Sequence, residues 1–149
     1  LLGLPSAQPG MTRARGAYPW HTALPTRWAD NDQYGHLNNA TYFSLFDTAL
    51  TLWQIETGFL GETVDSPRFL VVENGCRFFQ ELRFPDLIHA GLRCGRIGTS
   101  SFTLELALFR GTSEEAAATG FFAQVQVDAQ SHRPSPLDAP RRALLEAIG

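Results

Sequence analysis

The sequence has 149 residues, of which 44% are apolar and 18% charged, and its formal net charge is −3 at pH 7. This length is typical of one domain with a core of its own, and the composition excludes a disordered chain. All twelve cationic side chains are arginines scattered along the chain, so no basic patch for nucleic acid is indicated.

The start of the chain predicts a tail rather than a folded element. Pro, Gly and Ser residues are frequent there, and we expect an N-terminal tail over residues 1–17 and a single domain over residues 18–149. No apolar stretch has the length of a signal segment or of a membrane span. Cys76 and Cys94 have no CxxC spacing, which favours two reduced thiols over a disulfide or a zinc site. We therefore expect a cytoplasmic protein without a membrane partner.

A strand and a helix are predicted first. The segment HTALPTRW, residues 21–28, is short and β-compatible. After a polar loop, apolar residues spread over most of the helical circumference between about residues 39 and 57. Such a pattern predicts a helix buried nearly all round, with Asn38 as its N-cap and Gly58 just past its end.

Four strands are predicted next, within residues 69–82, 87–98, 101–109 and 119–129. In the third of them, one face carries Phe102, Leu104, Leu106 and Leu108. In the fourth, the predicted inward row is Phe121, Ala123, Val125 and Val127, and the predicted outward row is Gln124, Gln126 and Asp128.

The connections between these strands are short and rich in turn residues. Strands joined in this way must be antiparallel, because a parallel pair needs a long crossover. A short terminal helix is predicted within residues 135–149. The order predicts an α+β fold in which a long antiparallel sheet wraps around one apolar helix.

The loop DNDQYGHLNN, residues 30–39, is unusually dense in polar side chains. Asp30, Asp32 and Gly35 match positions 1, 3 and 6 of a calcium-binding loop. The pattern then fails, because Tyr34 stands where the fifth position needs Asp or Asn, and Thr41 stands where the twelfth needs a bidentate Glu. We predict no metal here.

Two other interpretations of this loop stay open. Asp and Asn favour turns and caps, so each of them alone has a structural explanation. Their density and their place before a helix N-terminus favour catalysis, because free N–H groups there can hold an oxyanion while a carboxylate attacks a carbonyl or activates water. The sequence has no G-x-S-x-G motif, so this chemistry would fall to an aspartate.

At this point the sequence resembles a known family. Residues 27–49, RWADNDQYGHLNNATYFSLFDTA, resemble the signature of hot-dog-fold acyl-CoA thioesterases related to 4-hydroxybenzoyl-CoA thioesterase, and residues 78–109 and 116–137 also resemble that family. The resemblance implies a five-stranded antiparallel sheet around one long central helix and hydrolysis of acyl-CoA without a cofactor or metal. It also implies homodimers, paired into tetramers, with active sites at the subunit interface.

The resemblance assigns roles within the loop. Asp32 matches the family's catalytic carboxylate, which acts as nucleophile or as general base. The backbone N–H of Asn39 matches the oxyanion contact, and Gly35 lets the backbone approach. Some branches carry His or Tyr at the position of Asn39, whose side chain does not titrate. Further positioning residues are expected at Asp30, His36, Asn38 and Tyr42. For His36 a loop-stabilising role and a proton-carrying role both stay open.

The family's nucleotide end implies a CoA-binding turn here at Arg96, Thr99, Ser100 and Ser101. A solvated hairpin is the alternative interpretation. Glu73 is either a paired edge residue or part of an acyl pocket. A hydratase or dehydratase acting on CoA thioesters, and a non-catalytic acyl-CoA-binding protein, remain as alternative functions. The sequence leaves open the acyl group, aliphatic or aromatic, and the choice between dimer and tetramer.

Overall fold

The computed structural model describes residues 11–149. Within them the strands and α-helices, in chain order, are β1 (Trp20–Pro25), α1 (Asn39–Glu56), β2 (Arg68–Phe78), β3 (Leu87–Ile97), β4 (Ser101–Arg110), β5 (Ala118–Val127) and α2 (Ala139–Glu146). Two 3-10 turns, Arg15–Ala17 and Trp28–Asp30, flank β1. The predicted order is confirmed, although the first strand ends before Trp28.

The strands form one sheet in the order β1-β3-β4-β5-β2, and every neighbouring pair is antiparallel. The chain reaches one edge with β1, packs α1 across the sheet, and returns to the opposite edge with β2. From β3 to β5 it proceeds by tight turns, as short connections require. The predicted α+β class, with a five-stranded antiparallel sheet around one long helix, is confirmed.

Helix α1 begins and ends where its caps predict. The side chain of Asn38 accepts a hydrogen bond from the backbone N–H of Ala40 at 2.9 Å, and Gly58 follows the helix with a φ of +75°. One expectation about this helix is wrong. Leu52 and Ile55 are 39% and 63% exposed, so the helix is not buried nearly all round. The curved sheet covers one side of it, and its opposite side stays open.

The predicted inward row of β4 is confirmed, but that of β5 is wrong. Phe122 packs in the core beside α1, and the side chain of Gln54 on α1 donates a hydrogen bond to Gln124 at 3.1 Å. Phe121 and Val125 therefore lie on the other face of the sheet. Both rows of β5 are apolar at Phe121 and Phe122, so alternation alone did not determine the face, and a buried amide pair sits where only apolar residues were expected.

Close packing of α1 on β5 explains this choice of face. A Cβ at Gly120 would come within 2.7 Å of the Phe46 ring, which is fully buried. The glycine thus leaves the space that this ring occupies. Because side chains alternate along a strand, Phe122 and Gln124 follow Gly120 onto the helix side.

The outer face of the sheet is covered by the segment before β1. Backbone N–H of Arg15 donates to the carbonyl of Glu114, and the Arg13 guanidinium donates to the carbonyl of Ala116. Tyr18 is buried against Phe109. The packed part of the chain therefore begins before residue 18, and the rest of the predicted tail, residues 1–10, lies outside the described residues.

The predicted terminal helix is confirmed as α2. Asp138 caps it by accepting the backbone N–H of Arg141 at 2.9 Å, and Leu145 on its inner face is fully buried. Across residues 11–149, none of the helices combines the length and the apolar character needed to cross a membrane.

Candidate active site

The polar loop between β1 and α1 is anchored by Asp30. Its buried carboxylate accepts hydrogen bonds from the backbone N–H of Arg27 at 2.8 Å and from the Arg27 guanidinium at 2.9 and 3.1 Å. Burial by itself would raise the pKa of Asp30, but these hydrogen bonds outweigh it and hold that pKa below its ordinary value. The carbonyl of Asp30 also accepts the N–H of Asn38. Asp30 therefore fixes the two ends of the loop relative to each other.

Two contacts tie the loop to the connection between β2 and β3. The N–H of Leu37 donates to the carbonyl of Leu82 at 2.8 Å, and the side-chain oxygen of Asn31 accepts the N–H of Phe84 at 3.0 Å. The donor in each contact is a backbone N–H group. They hold the end of β2 against the loop, which sequence distance alone would not suggest.

Asp32 stands inside this framework with one carboxylate oxygen occupied. Its Oδ1 accepts the N–H of Tyr34 at 2.8 Å and that of His36 at 3.4 Å, while Gly35 completes the turn with a φ of +80°. Among the described residues, Oδ2 accepts no hydrogen bond. The turn thus fixes the carboxylate and leaves one oxygen available for a substrate or a water molecule.

A cleft of about 330 Å³ opens beside this carboxylate. Its lining residues are Asp32, His36, Leu37, Asn39, Tyr42, Phe78, Phe79, Gln80 and Glu81. The structure therefore brings together four residues that the sequence singled out. Gly35 and Asn38 do not line the cleft; the first shapes the turn and the second caps the helix.

The N-terminus of α1 forms part of the cleft wall. The N–H of Ala40 donates to the Asn38 side chain, and the N–H of Thr41 donates to the Asn38 carbonyl. For the N–H of Asn39, residues 11–149 provide no acceptor. A free N–H at the positive end of a helix is suited to holding a developing negative charge on oxygen.

An aromatic pair forms the cleft floor. The rings of Tyr42 and Phe78 meet edge to face at 4.7 Å between centroids, and Tyr42 is 3% exposed. Burial raises the pKa of the Tyr42 phenol, so this group stays neutral around pH 7. Tyr42 is suited to shaping the cleft rather than to carrying charge.

Sequence analysis missed Gln80 and Glu81, which were interpreted only as part of a strand. For Phe78 and Phe79 the sequence left open a place in the core or in a substrate pocket, and the structure places both in the cleft. The Nε2 atom of His36 lies 2.9 Å from Oε2 of Glu81, so a histidine and a carboxylate are paired in the cleft. The one available signal was the exposed aromatic pair in FFQEL, since large apolar side chains at a strand end often line a site.

Comparison with known proteins identifies the family of the chain. The family model of the thioesterase-like superfamily matches residues 26–147. The chain belongs to this superfamily. The expected hot-dog fold and the expected class of enzyme, a thioester hydrolase, are thereby confirmed. No match was found among curated proteins.

Solved structures of superfamily members resemble the chain closely. The PA5185 protein from Pseudomonas aeruginosa strain PAO1 is 40% identical, with a TM-score of 0.86 over 93% of this chain and 96% of that one. PA2801, a putative thioesterase from Pseudomonas aeruginosa, is 28% identical, with a TM-score of 0.76 over 87% and 97%. A thioesterase from Thermus thermophilus, solved with coenzyme A and Zn, is 25% identical, with a TM-score of 0.74 over 89% and 95%.

In this chain, the turn predicted to bind CoA lies far from the cleft. Phe78 of the cleft pairs with Ala118 of β5, and Ala118 pairs in turn with Leu108 near the end of β4. The turn lies at the other end of β4 and holds Arg96, Thr99, Ser100 and Ser101. The separation along the strands is roughly 24 Å, about seven residues at 3.4 Å each. One chain alone therefore does not bring this turn and Asp32 together.

The remaining candidate groups do not contribute to the cleft. Burial raises the pKa of the Cys76 and Cys94 thiols to about 12, which disfavours the thiolate that cysteine chemistry needs. Glu73 is exposed on the edge strand β2, beside a bulge and opposite Ala123 of β5, so it is an edge residue and does not line the cleft. Over residues 11–149, no three His, Cys, Asp or Glu side chains are grouped as metal ligands would be.

Proposed function

We propose that the chain hydrolyses an acyl- or aryl-CoA thioester to the free acid and CoA, with Asp32 as nucleophile or general base. One observation carries this proposal. Asp32, whose Oδ2 accepts no hydrogen bond within residues 11–149, and Asn39, whose N–H has no acceptor there, both line the cleft at the N-terminus of the long helix. A carbonyl group bound between them would have a base or nucleophile at its carbon and a hydrogen-bond donor at its oxygen.

Two routes use these groups. As general base, Asp32 takes a proton from water, whose oxygen then bonds to the thioester carbon. As nucleophile, the carboxylate itself bonds to that carbon and displaces the thiolate, and water then cleaves the resulting anhydride. In both routes the carbonyl oxygen becomes negative, and the N–H of Asn39 stabilises it. Gly35, Asn38 and Tyr42 position these groups by shaping the turn, the helix end and the cleft floor.

We propose a homodimer formed through the free edge of β2, consistent with the dimers that the family resemblance implies. An unpaired edge with exposed apolar side chains is suited to pairing with a second strand. Leu70, Val71 and Val72 are 47%, 44% and 65% exposed there. The pairing of two dimers into a tetramer and the cytoplasmic location remain predictions from the sequence.

This dimer supports the predicted CoA contact. In an antiparallel pair of β2 strands, the Phe78 end of one copy lies beside the Arg68 end of the other. Arg68 pairs with Val127, at the sheet end that carries the turn from Arg96 to Ser101. The turn of the partner copy would then approach the cleft, and we propose that it contacts the nucleotide part of an acyl-CoA substrate. Coenzyme A in the Thermus thermophilus thioesterase structure is consistent with such a ligand.

Release of free thiol from acyl-CoA tests the proposal. A panel of aliphatic and aromatic acyl-CoAs is assayed with a thiol-reactive dye, for the wild type and for Asp32→Asn. The amide oxygen introduced by this substitution can still accept the N–H groups of Tyr34 and His36, so the turn persists while the charge is lost. We expect kcat/KM to fall by about 10² to 10⁴.

Asp65→Asn is the matched control, because Asp65 is exposed and does not line the cleft. It should keep wild-type activity. The proposal is wrong if no acyl-CoA yields thiol above background, or if Asp32→Asn is as active as the wild type. Tight CoA binding without turnover would instead indicate a non-catalytic acyl-CoA-binding protein.

The pairing of His36 with Glu81 favours a second candidate, a hydratase or dehydratase acting on CoA thioesters. Such enzymes usually pair a histidine with an acidic residue, and the structure places these two side chains 2.9 Å apart in the cleft. Enoyl-CoA distinguishes the two functions. Loss of enoyl-thioester absorbance without thiol release would indicate hydration, whereas hydrolysis releases one thiol for each enoyl thioester lost.

A further inference from the structure

The pair of His36 and Glu81 has a geometry that the proposed reaction does not yet use. Nε2 of His36 and Oε2 of Glu81 are 2.9 Å apart, and both side chains line the cleft that contains Asp32. The His36 side chain is 31% exposed and that of Glu81 is 64% exposed. A substrate in the cleft would therefore reach the imidazole without any rearrangement of the loop.

A purely structural role explains this pair poorly. Ion pairs as exposed as this one contribute little to stability. The loop around His36 is already held by two backbone hydrogen bonds, from the N–H of Leu37 to the carbonyl of Leu82 and from the N–H of Asn38 to the carbonyl of Asp30. Within residues 11–149, the imidazole bonds to no side chain except that of Glu81.

The contact with Glu81 determines which ring nitrogen of His36 carries a hydrogen. A carboxylate only accepts hydrogen bonds, so the shared hydrogen lies on Nε2 of His36. The titratable and charged groups around His36 are Asp32 from its own turn, Glu81 from the loop after β2 and the neutral phenol of Tyr42 from α1. From β4, Arg110 reaches the backbone carbonyl of Glu81.

We propose that His36, oriented by Glu81, is the acid that protonates the departing CoA thiolate. This inference rests on the proposed thioester hydrolysis. In the general-base route, water gives one proton to Asp32 and bonds to the carbonyl carbon. The C–S bond then breaks, its electron pair leaves with sulfur, and the sulfur takes a proton from His36. The proton held by Asp32 passes to the neutral imidazole, and the product acid loses its proton to solvent, which restores the resting enzyme.

The leaving group provides the decisive test. An acidic thiol departs without help, whereas an alkyl thiol needs a proton as the C–S bond breaks. We compare a thiophenol thioester with an N-acetylcysteamine thioester of the same acyl group, for the wild type and for His36→Gln. We expect kcat/KM for the alkyl thioester to fall by about 10² to 10³, and that for the aryl thioester by less than about tenfold. Activity on the aryl thioester also shows that the variant is folded.

A pH profile with acyl-CoA tests His36 as the acid, and the alkyl thioester tests Glu81 as its positioning residue. Because the imidazolium is the acid, kcat/KM of the wild type should decrease on the alkaline side. Glu81→Gln keeps a hydrogen-bond acceptor for Nε2 of His36, so we expect it to lose less activity on the alkyl thioester than Glu81→Ala does. His36→Gln should lack the limb. His21→Gln, whose side chain lies on the outer face of the sheet, should match the wild type in both assays.

The outcomes separate this inference from the proposed function. A wild type that releases no thiol from any acyl-CoA overturns the proposed function. If the wild type is active, the role of His36 alone is overturned when His36→Gln slows both thioesters equally or keeps the alkaline limb.

Discussion

The buried amide pair between α1 and β5 allows a sharp test of how the helix sits on the sheet. Gln54 and Gln124 are 4% and 3% exposed, and Nε2 of Gln54 donates to Oε1 of Gln124 at 3.1 Å. Strand alternation placed Gln124 on the outer face, where its replacement would have little effect. We consider each glutamine replaced by leucine, alone and together.

The expected magnitudes follow from burial. Replacing one partner leaves the other amide buried without its hydrogen bond, which costs about 1–3 kcal/mol of the free energy of unfolding. Replacing both removes the two polar groups together, and the two introduced leucines would pack against each other as apolar neighbours. The double variant should therefore lie within about 1 kcal/mol of the wild type, so the coupling between the sites should approach the sum of the two single costs, about 2–6 kcal/mol.

Urea unfolding of the four proteins measures this double-mutant cycle. Gln33→Leu, at an exposed loop position, is the control and should change the free energy of unfolding by less than about 0.5 kcal/mol. If Gln124→Leu behaves like this control, or if the two single effects simply add, then Gln124 does not face α1. The assigned face of β5 would then be refuted.

Three other predictions concern packing, pH and thiol reactivity. Gly120→Ala forces a Cβ against the Phe46 ring, so we expect a loss of about 1–3 kcal/mol in urea unfolding; unchanged stability would contradict the close contact. The pKa of Asp30 is lowered in the fold, so its contribution is complete above about pH 4 and is lost as the pH falls through the folded-state pKa. Asp30→Asn should therefore weaken the loss of the free energy of unfolding at acid pH, measured by urea unfolding. An unchanged loss would argue against the hydrogen bonds between Arg27 and Asp30. Because burial raises the pKa of Cys76 and Cys94 to about 12, the native protein should react slowly with iodoacetamide at pH 8 and rapidly once unfolded.

Much of the fold could be predicted from local patterns. The caps at Asn38 and Gly58 set the ends of α1, and the tight turns from β3 to β5 required antiparallel neighbours. Those signals lie within a few residues of the structure that they specify. The inward face of β5 was not predictable in this way, because Phe121 and Phe122 offer two apolar rows and the Phe46 ring above Gly120 decides between them.

In the candidate site, too, local contacts could be predicted from the sequence and contacts between distant segments could not. The sequence by itself determined the turn around Asp32 and the helix N-terminus at Asn39, since both depend on side chains and backbone groups only a few residues apart. Only the tertiary structure decided that Glu81 contacts His36, because the two residues lie in separate connections of the chain. The hydrogen bond from the N–H of Leu37 to the carbonyl of Leu82 holds these connections together. Contacts between distant segments depend on how the whole sheet closes around the helix, and no local pattern records that.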